Sequence, residues 1–296
     1  MSYVKKLGII NCFISLLLAL ASPVIAQAQT EILLDADTPL KDKEISAGSV
    51  KVKVNYKPFD FNQEQTSETD NLTYQIFHDG IPKVNASDVT ILSGSVSLKD
   101  LDSNGVAEVI VSTYSGGAHC CTNLTIYTWK NNQFLQADIE GMNSGGGIFQ
   151  DLNGDGKFEF LSSDDAFLYQ FSAYASSFPP SRIYLLKEGK LENVTRKYPK
   201  ELKTRAWEMY QAFLKGKQEE YEVNGILAGY VAQKILLGEY QQGWNFMLAN
   251  YDRTSDWGLE IYQGDRQVGK YPDFPTALKA FLIQQGYLDK NGRPFP

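Results

Sequence analysis

Asp100-Leu101-Asp102-Ser103-Asn104-Gly105-Val106-Ala107-Glu108 and Asp151-Leu152-Asn153-Gly154-Asp155-Gly156-Lys157-Phe158-Glu159 share one layout. Each stretch has oxygen side chains at positions 1, 3 and 5, Gly at 6 and Glu at 9. Alternate residues of a tight loop converge inward, Gly allows the positive φ of the reversal, and the last carboxylate closes the cage. Asp100, Asp102 and Glu108 with the Asn104 amide form one donor set, completed by the Val106 carbonyl. Asp151, Asp155 and Glu159 with the Asn153 amide form the other, completed by the Lys157 carbonyl. An oxygen-only donor set of this kind selects calcium over zinc or copper, so one or two Ca2+ ions are expected. The competing reading is a pair of Asp/Asn-Gly hairpin turns without metal.

The flanks read as strands. Val96-Ser97-Leu98 leads into the first loop and Glu108-Val109-Ile110-Val111 leaves it, while Ile148-Phe149 and Phe158-Glu159-Phe160-Leu161 bracket the second. Position 12, where an EF-hand requires a bidentate Glu, holds Val111 in one loop and Ser162 in the other, so neither is an EF-hand. An Asp-rich loop between paired strands, closed at position 9, resembles the FG-GAP or VCBS repeat of integrin-type β-propellers. The family pattern is Asp-x-Asp-x-Asp-Gly-x-x-Asp. Here Asn104 and Asn153 replace Asp, and Glu108 and Glu159 replace the last Asp, which keeps an oxygen at every ligand position. The resemblance covers roughly half the chain and implies a calcium-stabilised, propeller-like scaffold.

Three hairpins reinforce the repeat: residues 74–84 around Asp79-Gly80, residues 126–135 around Asn131-Asn132, and residues 183–191 around Glu188-Gly189. They recur about every 52 to 57 residues, and the acidic loops lie 51 apart, close to the length of one four-stranded propeller blade. Taking the module as hairpin followed by loop-closed strand pair, two modules are complete and the third stops after its hairpin. A closed propeller has at least about four blades. Either residues 50–56 and the N-terminal stretch supply a degenerate blade, or the sheet stays open with an edge that must be covered.

From about Tyr198 the apolar period changes from two to near 3.6. Helical stripes run through Leu202, Ala206, Met209 and Phe213, through Val223, Leu227, Val231 and Ile235, and through Tyr240, Trp244, Met247 and Tyr251. A short hairpin around Gly264-Asp265 precedes a last helix over residues 275–285, with Asp273 at its start and Gly286 as its stop. The aromatic stripes read as core before they read as a ligand groove. The fold class expected is therefore α+β: an antiparallel, propeller-like β-repeat of few blades over residues 29–197, then a mainly helical region over 198–296.

Residues 1–28 read as a secretory signal, with Lys5 and Lys6 ahead of an apolar stretch at 7–21, Pro23, and Ala26-Gln27-Ala28 as a cleavage site. A periplasmic or secreted protein with no membrane span after cleavage is the expectation. Cleavage removes two positive charges and no acids, moving the net charge from −7 to −9. Such an acidic surface argues against nucleic acid as a partner.

Cys120 and Cys121 are the only cysteines left after cleavage, within Gly116-Gly117-Ala118-His119-Cys120-Cys121. This short motif is similar to one beside propeller-like loops in exported bacterial proteins. Oxidising compartments rarely leave thiols free, so a vicinal disulfide forming an exposed apolar knob is expected. A Cys-Cys-His metal site, free thiols and an intermolecular bond are the alternatives. His78 and His119, the only histidines, fit no Ser-His-Asp or His-x-x-x-His arrangement, and no catalytic residue is assigned. The functional expectation is a binding or scaffold module for an unknown protein or glycan ligand. The rival is a cell-envelope or polysaccharide hydrolase with an acidic pair outside the loops, such as Asp164 and Asp165.

Overall fold

The computed structural model describes residues 30–60, 70–143 and 146–295. The expected signal at residues 1–28 lies outside them.

Period-2 patterning becomes three antiparallel meanders. The first sheet runs β2 (Leu40–Ala47), β3 (Val50–Tyr56), β4 (Leu72–His78) and β5 (Ile81–Asp88). In β3 every second residue, Val50, Val52, Val54 and Tyr56, is buried, and Leu72, Tyr74 and Ile76 of β4 face the same way. The second sheet is β6 (Ser93–Lys99), β7 (Glu108–Tyr114), β8 (Cys120–Lys130) and β9 (Gln133–Asn143). β1 (Glu31–Asp35) adds itself to the free edge of β6, with Glu31 opposite Ser97. The third sheet is β10 (Ile148–Gln150), β11 (Glu159–Ser163), β12 (Ser181–Lys187) and β13 (Lys190–Asn193).

The repeat unit therefore starts one strand pair earlier than the hairpin-first module supposes. Each four-stranded sheet is a loop-joined pair followed by a hairpin, and the third does not stop short: β10 and β11 are its loop pair. Residues 50–56 belong to a further four-stranded antiparallel sheet, whose first turn is Ala47-Gly48-Ser49-Val50 instead of an acidic loop. The N-terminal stretch divides, β1 joining the second sheet and β2 the first.

The middle sheet is covered on both faces, so β7 is an almost continuous buried run. Val109 and Val111 pack with Val52, Val54, Tyr74 and Ile76 of the first sheet, and the Tyr74 and Tyr127 hydroxyls bond at 3.0 Å across that interface. Ile110, on the opposite face, packs with Leu101, Leu124, Ile126, Phe160 and Leu186 against the third sheet.

Four helices follow among the described residues: α1 (Pro199–Gln218), α2 (Asn224–Leu236), α3 (Tyr240–Asn250) and α4 (Phe274–Gln284), with the hairpin β14 (Glu260–Gln263) and β15 (Arg266–Lys270) between the last two. Asp273 caps α4 by accepting from Thr276 N at 2.9 Å, and Gly286 ends it at φ 74°. α2 is buried nearly all round, which only close approach permits: a Cβ at Gly229 would collide with the Phe178 carbonyl. The helical core includes Phe167 and Phe171, which lie ahead of the boundary expected at 198. Polar staples bind this region to the third sheet. Buried Gln233 accepts from Ser181 N at 2.9 Å and donates to Leu202 O at 3.0 Å. Antiparallel sheets plus C-terminal helices make the fold α+β.

Candidate metal centre

The two acidic loops join the first and second strands of the second and third sheets. Gly105 and Gly156, at position 6, both take φ 85°. Position 4 is also left-handed in both, at φ 59° for Ser103 and 78° for Gly154. The loops touch: Ser103 Oγ donates to Gly156 O at 2.5 Å, and Phe158 N donates to Leu101 O at 2.8 Å. Lys99 Nζ lies 3.6 Å from the centroid of the Phe158 ring. The acidic layout foreshadows each loop but not this bridge, because Ser103, Leu101 and Phe158 carry no metal-ligand signature.

In the first loop Asp100 accepts from Asn104 N at 3.1 Å and Gly105 N at 2.9 Å, Asp102 from Asn104 N at 3.2 Å, and Asn104 from Val106 N at 2.8 Å. Oxygens of Asp100, Asp102 and Glu108 come within 4.8 Å of one another. Glu108 is 0% exposed. Its Oε2 accepts from Leu101 N at 2.7 Å, while its buried Oε1 has no hydrogen-bond partner among the described residues. Burial, then the charges of Asp102 and Asp100, push the Glu108 carboxyl up to about 8 against the pull of the Leu101 N–H. A buried carboxylate beside two others requires a proton or a cation.

The second loop has the same frame with a different closure. Asp151 accepts from Gly154 N at 2.7 Å and Gly156 N at 2.9 Å, and the Gly156 N–H leads the bonds that hold its carboxyl below the usual range. Asn153 accepts from Asp155 N at 2.9 Å and turns its amide N–H2 to Asp155 Oδ2 at 2.9 Å, while Asp155 Oδ1 accepts from Lys157 N at 2.9 Å. Glu159 is buried like Glu108, yet both its oxygens are satisfied: Oε2 by Leu152 N at 3.0 Å and Oε1 by the Tyr198 hydroxyl at 2.5 Å. Burial, then the Glu159 bond, raises the Tyr198 phenol. Tyr198 immediately precedes α1, so the second loop is closed from the helical region. No sequence pattern links Tyr198 to Glu159, because the contact exists only once the helices dock.

The other candidates lie elsewhere. Cys120 and Cys121 are disulfide-bonded to each other across a cis peptide, with Cα atoms 3.0 Å apart. They open β8 half-buried, so the pair is not the exposed loop-tip knob expected; Cys121 N donates to Ser115 Oγ at 2.7 Å. His119 stacks on Tyr174 at 4.1 Å, and His78 stacks on Trp129 at 3.9 Å. Asp164 is buried, bound to Arg182 at 2.7 Å and to the Tyr287 hydroxyl at 2.8 Å, and Asp165 accepts from Asn143 N at 2.7 Å. That pair is committed to holding the third sheet, the end of β9 and the C-terminal segment together. Among the described residues no helix is long and apolar enough to cross a membrane.

Residues 193–286 match the family described as the sll0997 C-terminal domain. Over 266 residues the chain is 31% identical to the "Probable thylakoid lumen protein sll0997" of Synechocystis sp., covering 86% of this chain and 78% of that protein. Over 212 residues it is 36% identical to the "Uncharacterized protein y4bJ" of Sinorhizobium fredii, covering 67% of this chain and 33% of that protein. No solved structure matches. Similarity along most of both chains, together with the matched C-terminal domain, shows that this chain belongs to the family of sll0997.

Proposed function

We propose that the chain is an exported, calcium-stabilised binding or scaffold module. One observation carries this reading: Glu108, wholly buried, keeps Oε1 unpartnered among the described residues, within 4.8 Å of the Asp100 and Asp102 carboxylates. A calcium ion held by Asp100, Asp102, Asn104, the Val106 carbonyl and Glu108 would supply the missing partner and neutralise the cluster. Asp151, Asn153, Asp155, the Lys157 carbonyl and Glu159 form the second, weaker site of this reading, since Tyr198 already engages Glu159. The ions brace the loops and carry no chemistry.

The successive four-stranded sheets, two of them opened by acidic loops, support kinship with FG-GAP or VCBS repeats and a short, open, propeller-like stack whose last sheet is covered by the helices. Export is supported by the charged-then-apolar N-terminus and by similarity to a protein named for the thylakoid lumen. Calcium at 100 times its dissociation constant stabilises by about 2.7 kcal/mol per site. At this size that is a rise of about 5–10 °C in melting temperature over chelator. Identical melting curves in calcium and chelator would sink the reading.

A further inference from the structure

α1 and α2 leave an open groove of 310 Å³ between them, lined by Lys203, Trp207 and Tyr210 on one side and Tyr230, Lys234 and Glu239 on the other. Lys203, Trp207 and Tyr210 lie on one face of α1 at helical spacing, beside the buried stripe of Leu202, Ala206, Met209 and Phe213, with Ala206 forming part of the groove floor. Trp207 is 61% exposed, although a tryptophan on a helix with an apolar core within reach is normally buried. Its ring lies 5.7 Å from that of Tyr210, inclined by 32°, so the two form a shallow aromatic wall. The polar end of the groove is an ion pair: Lys234, 8% exposed, bonds to Glu239.

We infer that this groove binds a saccharide, and an acidic one in preference to a neutral one. A pyranose ring presents C–H groups on its face and hydroxyls round its edge. It therefore needs a flat aromatic wall with donors and acceptors beside it, which Trp207, Tyr210, Lys234 and Glu239 supply. The size suits a small ligand, at the lower end of the range of about 300–1,000 Å³, and is too small for a protein element. Charge selects within the class. Glu239 is neutralised by Lys234, and Lys203 has no ion-pair partner among the described residues, leaving the groove one positive charge in a chain of net −7. A carboxylate on the sugar answers Lys203. A quaternary ammonium does not fit, because Lys234 Nζ already lies 5.9 Å from the Tyr230 ring centroid. The inference does not depend on calcium at the acidic loops, since no loop residue lines the groove.

Titration calorimetry of the full chain with trigalacturonate, cellotriose and choline, in calcium and in chelator, tests it. Trigalacturonate binds, cellotriose binds more weakly and choline does not. Trp207→Ala weakens trigalacturonate by about tenfold, the loss of one stacking face, and Lys203→Ala brings its affinity down to that of cellotriose. Both positions are exposed, and unchanged melting temperatures show that the variants fold. The inference is overturned if neither saccharide binds, if cellotriose binds as tightly as trigalacturonate, if choline binds instead, or if Trp207→Ala binds as wild type. It is also overturned if Trp207→Ala only breaks up a self-associated form of the chain.

Discussion

Glu108 sits among apolar residues with one oxygen on the Leu101 N–H and the other facing Asp100 and Asp102. In the absence of a cation it keeps a proton, and this has a consequence for stability. Burial raises its carboxyl from 4.5 to about 8, so the folded chain holds a proton that the unfolded chain releases. The stability this group contributes is whole below about 4.5 and is lost as the pH rises through about 8. Calcium bound at the proposed site would replace the proton and remove that slope. Denaturant melts at about pH 6 and about pH 9 are expected to show a larger loss in chelator than in calcium, a difference that Glu108→Gln abolishes. Equal slopes in the two media would contradict the assignment. The ligand types at positions 1, 3, 5 and 9 are legible in the sequence because their spacing is local. The difference between Glu108 and Glu159 is not, because it depends on a phenol 39 residues further along the chain.

At the scale of elements, the acidic loops act as joints. Ser103 ties the loop of the second sheet to that of the third, and Tyr198 ties the latter to α1. Tyr198→Phe removes a hydroxyl and leaves a buried oxygen of Glu159 unsatisfied, which destabilises by about 1–3 kcal/mol. With calcium in the second loop, as proposed, part of that loss would be recovered, because the freed oxygen would turn to the ion. An equal loss in calcium and in chelator would show that Tyr198 and the second loop are independent. Strands, hairpins and helices are readable along the chain because each has its own period: Val50-Lys51-Val52-Lys53-Val54 alternates, and Leu202, Ala206, Met209 and Phe213 return to one helical face. The starting point of the repeat is not readable. The hairpin turns at Asp79-Gly80 and Glu188-Gly189 carry the strongest local signals and draw the module boundary to themselves, whereas pairing across the sheet sets it one strand pair earlier. β1 is missed for a related reason: Glu31 pairs with Ser97, a contact without local cause.

For the molecule as a whole, the third sheet is the surface on which the helices are built. Phe167 and Phe171, buried at 1% exposure, lie between β11 and β12 yet belong to the helical core, and Gln233 fastens α2 to Ser181. A fragment of residues 29–197 strips the helical cover from Phe167 and Phe171 and is expected to bind an apolar dye or aggregate, whereas the full chain does not. A soluble, cooperatively melting fragment would show that the sheets need no helical cover. Calcium titration calorimetry of the metal-stripped full chain tests the first acidic loop most directly. Saturable calcium uptake is expected, with at least one ion per chain lost in Glu108→Gln while that variant keeps its fold. No saturable uptake, or uptake in Glu108→Gln equal to that of wild type, would contradict it.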